Sequence, residues 1–285
     1  MHALESLAAA VLLAQSDGVG YIAKYFQRDV SQDLLKKLYK VHQEIESAPR
    51  GDDPRVGRNL NIWKLKADLS APPEYLTVST DRDNNFPRWS PDGRFIAYVR
   101  GDGRSSKIWI MAADGTDQRQ LTQGSGSDNF PLWSPDGKQI AFMRGDALMA
   151  ISLATGQEKD LAPTPGVYQP CAWSKDGSSI LLAIRANDDK RSLVQLDLTT
   201  RSQSSEPTPP STVYKLFTNL KLHPKANLVI YHQFMGRHWE IFIRDLDGKR
   251  VEPVSESWST DQNPDWSPDG EYLVYASTRK PQRKY

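Results

Sequence analysis

Two carboxylates that face each other across a cavity can divide the work of cleaving a glycosidic bond, one as acid and the other as base or nucleophile. In this chain Asp128 and Asp261 are the candidates for such a pair. Each stands five positions ahead of a tryptophan, Trp133 or Trp266. Four positions ahead of the same recurring place come Asn85, Asn129, Gln169, Thr218 and Gln262, a set of neutral hydrogen-bonding groups. Amides and hydroxyls donate and accept without a charge to strip of water, so they suit peptide backbone or sugar hydroxyls. The plainer role for the same residues is to cap strand ends and hold water.

Other chemistries are absent from the pattern. No Gly-x-Ser-x-Gly occurs, so the 285 residues carry no nucleophile elbow of the serine-hydrolase kind. His2, His42, His223, His232 and His238 show no metal-ligand spacing, and GDGRSSK from Gly101 lacks the spacing of a phosphate loop. Neither a metal nor a cofactor is expected. Cys171 is the single cysteine, which excludes an internal disulfide. With 36 basic and 35 acidic residues the formal charge is +1, so no overall field draws nucleic acid. No apolar stretch approaches the roughly 20 residues of a membrane span.

The elements that position the polar set come from a repeat. FPRWSPDGRFIAYV begins at Phe86, FPLWSPDGKQIAFM at Phe130, and NPDWSPDGEYLVYA at Asn263. WSKDGSSILLAI at Trp173 and LKLHPKANLVIYH at Leu220 are weaker copies, with Lys175 replacing Pro in one and Leu222 replacing Trp in the other. The aromatic position thus recurs at steps of 44, 40, 49 and 44 residues, the period of four-stranded propeller blades. Between copies a second phrase returns, as in KIWIMAADGTDQRQLT at Lys107 and IFIRDLDGKRVEPVS at Ile241: a strand, a tight turn and a short polar strand. The last copy has two strands only, and RNLNIWKLKAD from Arg58 with PPEYLTVST from Pro72 supplies the missing two. Pairing the two segments in one sheet closes a ring and removes its exposed edges. The fold predicted is an all-β propeller of five four-stranded blades over residues 58–285. Six is the alternative if SDGVGYIAKYF at Ser16 forms a further turn.

Within each copy the Pro fixes φ at the first central turn position, the Asp accepts local backbone hydrogen bonds, and the Gly takes the positive φ. These aspartates are read as turn formers. The WSPDG turn followed by an IAYV-like strand resembles the TolB-type, WD-repeat-like β-propeller repeat of bacteria. What that resemblance implies is a platform for protein interaction in envelope complexes.

Residues 1–57 have another grammar, with no Trp and two helix-like stretches, and are read as an α-helical N-terminal extension. In the second stretch Asp29 and Gln32 have capping-box spacing, and Leu34, Leu35, Leu38 and Ile45 follow at helical intervals. Two short amphipathic helices cannot form a core alone, so these four residues are candidates for docking a partner, a cap on the propeller being the alternative. The compartment stays open: no Lys or Arg precedes ALESLAAAVLLAQ, which favours the cytoplasm, whereas the resemblance favours the periplasm. The functional expectation is a non-catalytic propeller, not an enzyme, acting as a protein-protein interaction platform or subunit of a larger assembly. The alternative is a five-bladed carbohydrate-active enzyme or a propeller binding a glycan or small ligand.

Overall fold

The computed structural model describes residues 28, 29, 31, 33, 34, 37, 38, 59–161, 168–185, 191–205, 220–235, 238–245, 251–254 and 259–279. Among them the strands run β1 (Asn61–Lys66), β2 (Glu74–Tyr75), β3 (Asp83–Trp89), β4 (Phe95–Gly101), β5 (Ser106–Ala112), β6 (Arg119–Gln120), β7 (Asp128–Trp133), β8 (Gln139–Arg144), β9 (Ala147–Ser152) and β10 (Glu158–Asp160). They continue with β11 (Tyr168–Trp173), β12 (Ser179–Arg185), β13 (Arg191–Asp197), β14 (Gln203–Ser205), β15 (Leu220–Leu222), β16 (Leu228–Phe234), β17 (Trp239–Asp245), β18 (Val251–Pro253), β19 (Asp261–Trp266) and β20 (Tyr272–Ser277). These strands form five four-stranded antiparallel sheets, so the molecule is a five-bladed β-propeller. Blade I is β3 to β6, blade II β7 to β10, blade III β11 to β14 and blade IV β15 to β18.

Blade V has the order β19-β20-β1-β2. Its ladder runs from Asn61↔Ser277 to Lys66↔Tyr272, so the first long strand of the ring is bonded to the last. The predicted closure and five-blade count both hold. The SDGVGYIAKYF turn of the six-blade alternative lies outside the described residues.

Each turn from first to second strand is built by its own sequence. Ser90 donates its hydroxyl to Asp92 Oδ1 at 2.6 Å and accepts the Phe95 N–H at 2.9 Å, while Asp92 Oδ1 also accepts the Arg94 N–H at 3.0 Å. The same scheme recurs at Ser134 and Asp136, Ser174 and Asp176, and Ser267 and Asp269. The Ser174 hydroxyl, helped by Ser178, draws Asp176 down to about 2. In blade IV His223 substitutes for this apparatus: its Nδ1 accepts the N–H groups of Lys225 and Ala226, which leaves Nε2 protonated to face the Gly270 carbonyl at 3.2 Å.

The core lies between blades rather than within them, because a sheet in a ring covers both faces with its neighbours. Ala97, Val99, Ile108 and Ile110 of blade I meet Trp133, Ile140, Phe142 and Ile151 of blade II. Comparable clusters join II to III, IV to V and V to I. Trp133 donates its indole N–H to the Arg88 carbonyl at 3.0 Å, Trp173 to Leu132 at 3.2 Å and Trp266 to Lys221 at 3.0 Å, each crossing to the preceding blade. On the turn face Pro268 rests on Gly93, Pro91 on Gly137 and Pro135 on Gly177, at ordinary contact distance for any added Cβ.

Blades III and IV break that series. Lys175 stands where the other turns have Pro, and Leu222 has no indole to donate. Here residues from the front of the chain span both turns. Arg28 donates to the His223 and Ala226 carbonyls at 3.1 and 2.7 Å and to Asn227 Oδ1 at 3.1 Å, and Asp29 pairs with Lys175 at 2.9 Å. Asp33, Leu34, Lys37 and Leu38 are helical, and Leu34 and Leu38 are buried within the chain. Leu35 and Ile45 lie outside the described residues.

Gly270 and Gly156 both have positive φ, +80° and +69°. A Cβ on Gly270 would lie 2.3 Å from His223 Cε1 and Nε2, and one on Gly156 would meet nothing within 4 Å. The His223 ring cannot retreat easily, being packed edge-on against Trp266. Gly156→Ala is expected to cost about 1 kcal/mol for its backbone strain, and Gly270→Ala about 1 to 3 kcal/mol more for overpacking. Urea unfolding midpoints of the two variants test the difference, and equal losses would contradict the contact.

Candidate functional site

In each sheet the strand carrying the recurring aromatic position is an edge strand, and these edge strands touch one another around the ring: β15 with β19, β19 with β3, β3 with β7 and β7 with β11. They therefore surround the propeller axis. The opposite edges, β2, β6, β10, β14 and β18, are two or three residues long.

Four of the inner strands carry an irregularity at the same place, between Asn85 and Arg88, Asn129 and Leu132, Pro170 and Ala172, and Gln262 and Asp265. Phe86, Phe130 and Asn263 adopt left-handed φ of 50°, 55° and 56° there. A non-glycine residue pays roughly 1 to 2 kcal/mol for that conformation, yet it recurs at one repeat position, so the bulge is part of the design of the strand. In blade I the Asn85 carbonyl Oδ1 accepts the Phe86 N–H at 2.8 Å.

Beyond the bulge these four strands return to a common register, which β15 shares with no bulge among its described residues. Arg88 pairs with Ala97, Leu132 with Ala141, Ala172 with Leu181, Lys221 with Ile230 and Asp265 with Val274. One level along the inner strands near the axis thus carries Arg88, Leu132, Ala172, Lys221 and Asp265; Ala172 is buried and Leu132 packs against the core between blades II and III. Asp265 reaches from blade V to blade I, its Oδ2 accepting the Trp89 N–H at 3.0 Å. Burial holds Arg88 below the usual guanidinium range, opposed by the attraction of Asp265. Lys221 is pushed down to about 8, first by burial and then by the charge of Arg88, with Asp265 and Cys171 opposing. Lys221 and Arg88 belong to blades IV and I, separated by blade V, so their repulsion acts across the axis. His232 on β16 completes the cluster. Burial first, then the Arg88 charge, push it down to about 4, and its Nδ1 accepts the Asn263 N–H at 3.1 Å.

The residues singled out from sequence occupy the neighbouring levels. Asn85, Asn129, Gln169 and Gln262 sit on inner strands opposite Val99, Met143, Ala183 and Ala276. Asn85 Oδ1 accepts Asn263 Nδ2 at 2.8 Å and Asn129 Oδ1 accepts the Ser106 hydroxyl at 3.3 Å, both bonds joining adjacent blades. Gln262 is 7% exposed and its Nε2 has no hydrogen-bond partner. Thr218 lies outside the described residues, as does the side chain of Gln169. Asp128 and Asp261 are wholly buried. Arg144 grips Asp128 at 2.7 and 2.9 Å, Lys107 of blade I reaches it at 3.2 Å, and Arg144 extends to Glu158 at 2.5 Å. Ser259 donates its hydroxyl to Asp261 at 3.2 Å. Sequence reading passed over Arg88, Lys221, Asp265 and His232. The available signal was a charge directly before the recurring aromatic position in three of five copies.

Among the described residues no cluster of three or more His, Cys, Asp or Glu is placed to hold a metal ion, and no helix is long and apolar enough to cross a membrane.

Residues 68–206 match the family model described as the TolB beta propeller domain. A curated relative, the uncharacterized peptidase YuxL of Bacillus subtilis (strain 168), is 26% identical over 114 residues, 39% of this chain and 16% of that protein. The match thus spans about a sixth of the relative's length. Among solved structures, TolB from Acinetobacter baumannii has a TM-score of 0.46 at 17% identity, over 87% of this chain and 71% of that one. The Pyrococcus horikoshii acylaminoacyl peptidase has a TM-score of 0.37 at 18% identity, over 61% and 32%. The Bacillus relative corrects the expectation of a non-catalytic platform, and with it the expectation that the chain is no enzyme. Turns and inter-blade tryptophans build the scaffold alone, and a similar stretch of sequence occurs in a protein named as a peptidase.

Because His232 is neutral in the fold and titrates near 6.5 when unfolded, its share of stability is complete above about pH 6.5 and declines as pH falls toward 4. His223, also lowered by burial, acts in the same direction. His232→Gln should therefore lose less stability than the native chain between pH 7 and 4.5. Denaturant midpoints at the two pH values provide the check, and parallel losses would contradict it.

Proposed function

On the premise that this chain is a propeller of the TolB-type repeat family, we propose that it is the substrate-handling part of an enzyme acting on peptides. The observation that carries the reading is the level of charged side chains on the inner strands, Arg88, Lys221 and Asp265, set beneath a tier of amides. Such a site binds and orients polar chains. The match to a Bacillus protein named as a peptidase supports peptides as the substrate class. Because the 285 residues hold no Gly-x-Ser-x-Gly, a serine nucleophile of that type would act from outside this sequence.

The division of labour follows from rigidity. Inner strands locked by neighbouring blades keep donors and acceptors at fixed positions, so a peptide entering along the axis loses its freedom to groups that do not have to move. Backbone amides of the substrate find amide partners at the tier of Asn85 and Asn129, and a charged end finds the level below.

Arg88→Met should remove one cation of that level while leaving the fold intact, as judged by far-ultraviolet circular dichroism. In the protein as it occurs naturally, kcat/KM for peptides of several residues is expected to fall about tenfold or more, equivalent to about 1.4 kcal/mol. Turnover of a small ester is expected to stay unchanged. Absence of peptide hydrolysis across a varied panel, or an equal loss with both substrates, would overturn the reading.

A further inference from the structure

We propose that Arg28 and Asp29 form a clasp across the seam between blades III and IV, where the repeat itself supplies neither of the ring's two fastenings, and that the ring parts at this seam when the clasp is released. The proposal does not depend on what the axis receives.

Neighbouring blades are fastened in two recurring ways. Near the axis an indole N–H donates to a carbonyl of the preceding blade, from Trp133 to Arg88, Trp173 to Leu132 and Trp266 to Lys221. On the turn face a proline rests on the glycine of the following turn, as with Pro268 and Gly93, Pro91 and Gly137, and Pro135 and Gly177. Four of the five seams have at least one of these. At the fifth, Leu222 has no indole to donate, Lys175 stands in place of the proline and Ala226 in place of the glycine. The inner strands agree: among the described residues, the other four neighbouring pairs pack more extensively than β11 with β15.

The front of the chain supplies what is missing. Asp29 accepts from Lys175 Nζ of the blade III turn at 2.9 Å. Arg28, next to it in sequence, donates to the His223 and Ala226 carbonyls at 3.1 and 2.7 Å and to Asn227 Oδ1 at 3.1 Å, all in the blade IV turn. Two consecutive residues therefore bridge two blades, at the positions where proline and glycine are lacking. The guanidinium bonds carry most of the strength, because the Lys175 to Asp29 pair is exposed and a surface ion pair contributes little. The Ser31 hydroxyl accepts the Leu34 N–H at 3.2 Å, and Leu34 and Leu38 are buried, so the segment keeps its seat when the charged contacts are lost. A cavity of about 390 Å³, lined by Ser31, Leu34, Lys37 and Asn227 among others, lies beside the clasp. Its bonds can thus part locally, without a core being broken.

The chain carries its own reporter of such opening. Cys171 is the single cysteine, 5% exposed, in the bulge of β11 on blade III. It lies close enough to Lys221 on β15 of blade IV for the two to interact electrostatically. A thiol reagent reaches it when this seam parts.

The rate at which a maleimide labels Cys171 in the full chain, followed by mass spectrometry, tests the proposal. Arg28→Ala is expected to raise that rate about fivefold or more with little change in the urea midpoint. Adding Lys175→Pro, which restores the proline fastening, is expected to bring the rate back toward the native value. Gly270→Ala strains the seam between blades IV and V instead, and is expected to lower the midpoint more than Arg28→Ala while raising the labelling rate less. An unchanged rate in Arg28→Ala would overturn the clasp. Rates that simply track the midpoints of the two variants would overturn it as well, because labelling would then report unfolding of the whole ring.

Discussion

The hydrogen bond from an indole N–H to the carbonyl of the preceding blade does two jobs at once. It fastens neighbouring sheets, and the carbonyls it grips belong to Arg88, Leu132 and Lys221, three of the five residues at the axial level. The fold and the candidate site are therefore not separable layers of the structure. Whatever loosens the packing of Trp133 or Trp266 also releases the backbone of a charged residue near the axis. A buried hydrogen bond of this kind contributes only about 1 kcal/mol, yet its geometric effect falls where small displacements matter most for recognition.

The recurring aspartates show how chemistry can be mistaken in such a protein. Asp92, Asp136, Asp176 and Asp269 are spent on their own turns, each holding a serine hydroxyl and a backbone N–H. Asp128 is neutralised by Arg144 and Lys107 and joins blade I to blade II. The residues with unusual electrostatics are instead those that vary from copy to copy, where one blade has Arg, another Lys, another Asp and two have apolar side chains. Repetition builds the frame, and departures from repetition place the charges.

This contrast explains what was legible beforehand. The blade count, the closure between β1 and β20 and the turn apparatus were readable because each rests on local residues at a fixed period. His223 could be placed in a turn, but its use of Nδ1 as a substitute for an aspartate needs coordinates. The axial level was hidden because register across five strands depends on the bulges, and left-handed Phe86 and Phe130 carry no special residue type to announce them. The enzymatic connection could not be read either, since scaffold residues are shared by propellers with different tasks.

The front of the chain adds a consequence in time. Arg28 contacts carbonyls 195 and 198 residues further along, and β1 finds its partner only when β20 exists. Contacts so distant in sequence are formed late, after blades I to IV have been made by nearest neighbours. The apolar faces of Trp63 and Leu65 are covered by residues far along the chain, Ile230, Ile241, Trp266 and Tyr275 among them. The edge of β1 that β20 covers is thus the longest-range strand pairing in the ring.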